Sequence, residues 1–315
     1  MTRLAVIGGG KYGLGPRPLP RAVAAASALL ASLALLGLAA AAPPAHAKVY
    51  WADLTTGNIG RSGLDGRHVE RAFIRGAVTP VGLTVAGGRL YWADANRDTI
   101  GRARLDGKGV RRSLLAIPDP WTPYDVAVDA RHIYWPNGGS LIGRARIDGT
   151  RAQPRFVKTS PHGSTFQVAV NRRHLYWTTN VEEVFYPDEV DSIGRADPTG
   201  KGIRKNFIDS PSGPYGIAVH GRYIYWTNQS TNTISRARRD GTGLRRKFIT
   251  TGPGNPRGIA VAGGHIYWTN VSNTAPGTIG RANLDGSRVH RSFIRTGGRP
   301  WDVAVVPGVP HHGRG

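Results

Sequence analysis

The chain has 315 residues, a formal net charge of +22 and no cysteine. The missing thiols exclude disulfide stapling and thiolate chemistry, so stability must come from packing alone. A charge of this sign favours anionic partners and leaves the fold open.

Residues 1–47 read as an export signal. Arg3, Lys11, Arg17 and Arg21 form a basic start, 22–42 are a continuous apolar run, and Ala45-His46-Ala47 supplies an Ala-x-Ala cleavage pattern before Lys48. If kept, the same run is long enough to anchor the chain in a bilayer. No later stretch is apolar enough to span one. Gly8, Gly10 and Gly13 match a dinucleotide fingerprint, but no Asp or Glu precedes Asp53, and the match reads as chance. Without the leader's four bases, residues 48–315 carry +18.

From residue 48 to 308 the chain repeats itself. Trp51, Trp92, Trp135, Trp177, Trp226 and Trp268, each preceded by Tyr, are spaced 41, 43, 42, 49 and 42 residues apart. A period of ~40–45 residues is that of a four-stranded propeller blade. Around Trp268 the pattern reads as a strand at 257–261, a Gly263-Gly264 turn, a second strand at 265–269 and a third at 278–284. Asp285-Gly286 predicts a primed hairpin turn, and 289–294 form the fourth strand. First strands recur at 81–86, 124–128, 166–170, 215–219, 257–261 and 301–305. The repeat region opens on a second strand, Val49-Tyr50-Trp51, and closes on a first strand, so the last strand is expected to complete the N-terminal blade. Residues 309–315 read as a flexible tail.

The motifs IYWTN at 224–228 and 266–270, LYWAD at 90–94, and I-G-R-A-x-L-D-G at 100–107 and 279–286 resemble the low-density-lipoprotein-receptor class B repeat, or YWTD repeat. The resemblance covers 48–308 and implies an all-β, six-bladed β-propeller of the TolB-like/YWTD type. It also implies an extracellular protein-binding role, although the cysteine-rich modules of those receptors are missing. The fourth motif residue drifts from Asp53 and Asp94 to Asn137, Thr179, Asn228 and Asn270, which suits turn capping better than catalysis.

Six Tyr-Trp pairs are expected to pack between blades, each indole N–H finding a local acceptor. Arg61, Arg102, Arg144, Arg195, Arg236 and Arg281 are expected to lie on aromatic faces with their heads on loop carbonyls. Eighteen bases follow the hairpin turns, among them Arg111, Arg112, Arg204, Lys205, Arg245, Arg246 and Lys247. They either protect sheet edges or form a belt for an anionic cell-envelope polymer. No base-reading motif supports specific nucleic-acid binding.

Ligands in such a ring would meet the start of the first strands, where Val81, Tyr124, Phe166, Tyr215, Arg257 and Trp301 stand, with Trp121 nearby. These residues form either a binding platform for a peptide loop or sugar, or a plug. The acidic loop 181–191 offers carboxylates for calcium, although its spacing is not that of a dedicated calcium loop; no other cofactor is expected. The expected function is a secreted or envelope-associated, monomeric, non-enzymatic binding propeller. The alternative is a metal-dependent hydrolase like the gluconolactonases, with Asp125, Asp302 and Asn171 as its candidate ligands.

Overall fold

The structure is a computed structural model that describes residues 47–307, apart from 182–185, 187–189, 211 and 273. The leader, the tail after 307, and Glu182, Glu183, Asp188 and Glu189 of the acidic loop lie outside the described residues.

Among the described residues twenty-four strands run in chain order. The first seven are β1 (Lys48–Asp53), β2 (Asn58–Gly63), β3 (Glu70–Ile74), β4 (Pro80–Ala86), β5 (Arg89–Asp94), β6 (Thr99–Arg104) and β7 (Arg111–Ala116). The next eight are β8 (Ala127–Val128), β9 (His132–Pro136), β10 (Leu141–Arg146), β11 (Gln153–Lys158), β12 (Ser164–Val170), β13 (Leu175–Asn180), β14 (Ser192–Ala196) and β15 (Arg204–Asp209). The rest are β16 (Pro214–His220), β17 (Tyr223–Asn228), β18 (Thr233–Arg238), β19 (Arg245–Thr250), β20 (Pro256–Ala262), β21 (His265–Asn270), β22 (Thr278–Asn283), β23 (His290–Arg295) and β24 (Pro300–Val306). They form six antiparallel four-stranded sheets, one of them in the order β24-β1-β2-β3. The C-terminal strand thus pairs with the first, Val49 opposite Val305, and both ends of the ring share one blade. This is a six-bladed β-propeller.

Packing follows the Tyr-Trp pairs. Adjacent residues in a strand point to opposite faces, so each pair serves two interfaces. Tyr50 packs in one cluster with Trp92, Tyr91 with Trp135, Tyr134 with Trp177, Tyr176 with Trp226, Tyr225 with Trp268 and Tyr267 with Trp51, which closes the circle. All six indoles are fully buried. At ~200 Å² each and ~25 cal/mol/Å², each burial contributes on the order of 5 kcal/mol before entropy is subtracted. The indole lies across the paired third strand, and a Cβ on Gly60, Gly101, Gly143, Gly194 or Gly280 would stand only 2.1–2.3 Å from it. That explains the Gly of the I-G-R-A motif. At Trp226 the paired residue is Ser235 instead.

Three local expectations are revised. Trp226 Nε1 donates to Ser210 Oγ and Trp268 Nε1 to Asn270 Oδ1, but the buried N–H groups of Trp51, Trp92, Trp135 and Trp177 have no partner. The Asp-Gly turns are not primed: Gly66 N–H donates to Gly63 O, making Leu64-Asp65 the central pair, and only Gly66 takes a positive φ, of 79°. Asp65 Oδ1 instead accepts from Arg67 N–H, and Asp106, Asp148, Asp240 and Asp285 do likewise, whereas the fourth blade has Thr199 at this position and its Asp197, two residues earlier, accepts from Lys201 N–H. Of the drifting motif residues, Asp53 caps its own turn through Thr55 and Thr56, whereas Asn137 and Asn270 donate to the outer-strand carbonyls of Pro154 and Arg291.

Candidate functional site at the channel mouth

The innermost strands β4, β8, β12, β16, β20 and β24 line a central cavity of about 270 Å³. Near their starts the ladder to the second strand breaks register; Tyr215 and Gly216, for example, are inserted between the pairs Pro214–Asn228 and Ile217–Trp226. Similar breaks occur in β4, β12, β20 and β24. A bulge turns the inserted side chain away from the sheet. The third blade departs further: β8 starts only at Ala127, and Tyr124 keeps a single bond to Pro136 O.

The threonine of the YWT motif holds three of these bulges. Thr178, Thr227 and Thr269 Oγ1 accept from the N–H of Gln167, Gly216 and Gly258. Each donates in turn to the next blade, at Tyr215 O, Arg257 O and Trp301 O. In the first three repeats that motif position is Ala52, Ala93 and Pro136, so only the last three carry this clamp.

The clamped strands bring the expected mouth residues together. Phe166 stacks on Tyr215 at 5.0 Å, Tyr124 meets Phe166 edge-on at 6.2 Å, and Tyr215 meets Trp301 edge-on at 6.4 Å. Trp301 Nε1 donates to Tyr215 Oη at 3.1 Å. The Arg257 guanidinium lies 3.6 Å from the Trp301 ring centre and 4.7 Å from that of Tyr215. Its Nε has no hydrogen-bond partner. Burial lowers the Arg257 pKa and raises that of Tyr215. Val81 and Tyr215 are buried, while Tyr124, Phe166, Arg257 and Trp301 stay partly exposed. Trp121 stands apart from this ring, with the Arg155 guanidinium 5.4 Å above it.

Directly beneath lies a polar layer that sequence reading only half anticipated. The same position of the six inner strands holds Gly82, Asp125, Gln167, Gly216, Gly258 and Asp302. Asp302 Oδ2 accepts from Leu83 N–H at 2.7 Å, Asp125 Oδ2 from Val168 N–H at 3.0 Å, and Gln167 Oε1 from Ile217 N–H at 3.1 Å. Each bond joins one blade to the next. At the other three junctions a Cβ on Gly82, Gly258 or Gly216 would meet Asp125 Cα at 2.3 Å, Asp302 Oδ1 at 2.1 Å or Arg257 O at 2.1 Å. The ring therefore closes through three side-chain spacers and three bare backbone approaches. Burial, then the nearby Asp302, pushes the Asp125 pKa well up, against the N–H groups of Val168 and Val126. Burial raises Asp302 to about 7, opposed by the N–H groups of Leu83 and Val303 and the Gln167 amide. That amide lies beside the Asp302 carboxyl, yet Gln167 Nε2 completes no hydrogen bond.

As a metal site this layer is a poor fit. Among the described residues no three His, Asp or Glu converge as ligands would. Gln167 Oε1 is already engaged, and Asn171 lies beyond the end of β12, where its Oδ1 accepts from Arg173 and His174 N–H. Asp191, the described acid of the blade-four loop, accepts from Val181 and Gly213 N–H.

The repeated arginines lie on aromatic faces as expected except Arg102, and Arg61 turns its head to the Glu70 carboxylate instead of a loop carbonyl. Arg61, Arg144, Arg195, Arg236 and Arg281 sit 3.8–4.1 Å over Phe73, Phe156, Phe207, Phe248 and Phe293. Four of their heads donate to the next blade, at Pro198, Arg239, Leu284 and Leu64 carbonyls. Opposite Arg102 the outer strand carries Leu114, which offers no ring. Arg111, Arg112, Arg204, Arg245, Arg246 and Lys247 are exposed and Lys205 is half-buried. Arg112 and Arg246 donate to carbonyls of the preceding blade, while Arg204 and Arg245 lie about 5 Å from Phe207 and Phe248.

Fold and mouth together define a six-bladed β-propeller closed by its own termini. No protein-family model matches the chain, and no curated protein does. Among solved structures it is similar to a chain of the nidogen/laminin complex, with a TM-score of 0.67 and 21% identity over 82% of this chain and 97% of that one. It is also similar to a putative TolB from Agrobacterium tumefaciens (TM-score 0.59, 14% identity, 83% of this chain and 94% of that one). A gluconolactonase from Xanthomonas campestris is a third (TM-score 0.56, 21% identity, 70% and 77%). At these identities the likeness is one of fold. No helix of the described residues is long and apolar enough to cross a membrane.

Proposed function

We propose that this protein is an exported, monomeric binding propeller of the YWTD type, which holds a loop of a protein partner at its channel mouth and performs no chemistry there. One observation carries the reading: Tyr124, Phe166, Tyr215 and Trp301 form a continuous aromatic arc with the Arg257 guanidinium set against Tyr215 and Trp301, and all but Tyr215 remain partly exposed. Rigid aromatic faces beside a desolvated guanidinium are the composition of interface hot spots, because they lose little side-chain entropy on binding. The threonine clamps and the Trp301–Tyr215 hydrogen bond support a preformed surface. The nidogen/laminin structure, whose similar chain is part of a protein–protein complex, supports the same class of role. A lactonase-like reaction would need further ligands around Asp125 and Asp302, whose carboxylates already accept from the next blade.

The test is a pull-down from the producing cell's envelope and medium. Wild-type protein is expected to retain a partner that Trp301→Ala and Arg257→Ala each lose by tenfold or more, with both variants folded. Unchanged retention by both variants would remove the mouth from the binding site.

A further inference from the structure

The outer strands β3, β7, β11, β15, β19 and β23 carry the densest uncompensated charge of the molecule. Exposed bases stand just before these strands and on them, as Lys108, Arg111 and Arg112 show at β7 and Arg288, Arg291 and Arg295 at β23. The ion pairs of the described residues are Arg61–Glu70, Arg104–Asp106 and the weak His132–Asp129 contact; none uses a base of these strands. Edge protection accounts for charge on every edge but not for how the guanidiniums bridge the gaps between blades. Arg112 Nε and Nη2 donate to Gly76 O and Arg75 O of the preceding blade, at 3.1 and 3.0 Å. Arg71 Nε and Nη2 likewise reach Thr296 O and Arg295 O, and Arg246 Nη2 reaches Asp209 O. At these boundaries the positive charge crosses from one blade to the next instead of ending as separate stripes. A carbonyl-held guanidinium is also pre-organised, with its remaining N–H groups turned outward.

The geometry points to this outer rim, bridged by guanidiniums at three of its six blade boundaries, as a binding surface for a flexible, phosphate-bearing linear polyanion that runs around the circumference of the propeller. Thirteen of the eighteen rim bases are Arg, whose planar fork matches phosphate oxygens in pairs. Curvature selects the polymer. Duplex DNA, with a persistence length of ~50 nm, resists bending around one small domain and touches only a few adjacent blades. A flexible chain follows the rim and neutralises more bases, with each phosphate contact adding to the salt dependence of binding. This surface is separate from the channel mouth and does not depend on the function proposed for it.

The probe is long-chain inorganic polyphosphate, titrated against the purified protein over a salt series, with duplex DNA of equal total charge alongside. Polyphosphate is expected to bind at least tenfold more tightly than DNA and with a steeper salt slope. A rim variant replaces Lys108, Arg111, Arg245 and Lys247 with Glu, none of which holds a blade boundary. A control variant replaces Arg131, Arg172, Arg173 and Arg222, exposed on the hairpin face, with Glu, for the same change in net charge. The rim variant should lose tenfold or more in polyphosphate affinity and the control less than threefold, with melting temperatures confirming that both are folded. Equal losses in the two variants, or equal binding of polyphosphate and DNA, would overturn the assignment. If the Glu variant unfolds, the same four positions changed to Gln give the same comparison with smaller expected losses.

Discussion

Replacing Asp302 with Asn tests whether the polar layer stores a pH-dependent penalty. Asp302 is 4% exposed, and its pKa rises from the usual 3.8 to about 7. The folded chain therefore binds a proton that the unfolded chain releases between those two values. Stability from this group falls as pH rises through that window and levels off above pH 7. A rise of roughly three units at ~1.36 kcal/mol each sets the penalty at about 4 kcal/mol above pH 7. Asp125, whose pKa moves the same way, adds to it where both carboxyls ionise. Among the described residues the lining of the cavity holds no other ionisable group. Asn keeps an oxygen to accept from Leu83 N–H and cannot ionise. Denaturant unfolding of both proteins from pH 4 to 8 should show little difference at pH 4. The difference should grow in favour of Asp302→Asn through pH 5–7 and reach a few kcal/mol at pH 8. A difference independent of pH, or a variant weaker than wild type at pH 8, refutes the reasoning.

Gly101→Ala places a methyl 2.2 Å from the buried Trp92 ring and should destabilise by about 3 kcal/mol, read by the denaturation midpoint at constant slope. Gly82→Ala meets Asp125 Cα at 2.3 Å, where backbone cannot yield as a side-chain tip can; ring closure should fail, as a gain in proteolytic sensitivity would report. Arg112→Ala removes two charge-assisted bonds across a blade boundary and should cost about 1 kcal/mol, against less than about 0.5 for its neighbour Arg111→Ala. Tyr215→Phe deletes the acceptor of the Trp301 indole N–H and should shift its fluorescence without lowering the melting temperature by more than a few degrees.

Sequence reading recovered the mouth unevenly. Val81, Tyr124, Phe166, Tyr215, Arg257 and Trp301 stood out because one position varied where its neighbours repeated, and five of them form the observed ring with Val81 packed beside it. Trp121 was joined to them by nearness in sequence alone, whereas its loop carries it to Arg155 on β11. The Asp125, Gln167 and Asp302 layer was legible in principle, since it alternates with Gly82, Gly216 and Gly258 at one register position. Its meaning was not, because each carboxylate is satisfied by a residue of another blade, 43 positions away for Asp125 and 219 for Asp302.

What the repeat decided alone was the periodic framework: six four-stranded blades, the shared N- and C-terminal blade, and the buried Tyr-Trp pairs. Such features depend on alternation along a strand and on copy number, both of which a linear sequence displays. Tertiary structure decided which side chains cross from blade to blade. Only there did the arginines of the outer strands divide into those that hold a neighbouring carbonyl and those that do not, and the inner carboxyls become hydrogen-bond acceptors that tie one blade to the next. These roles arise from the angle and distance at which neighbouring sheets meet around the ring.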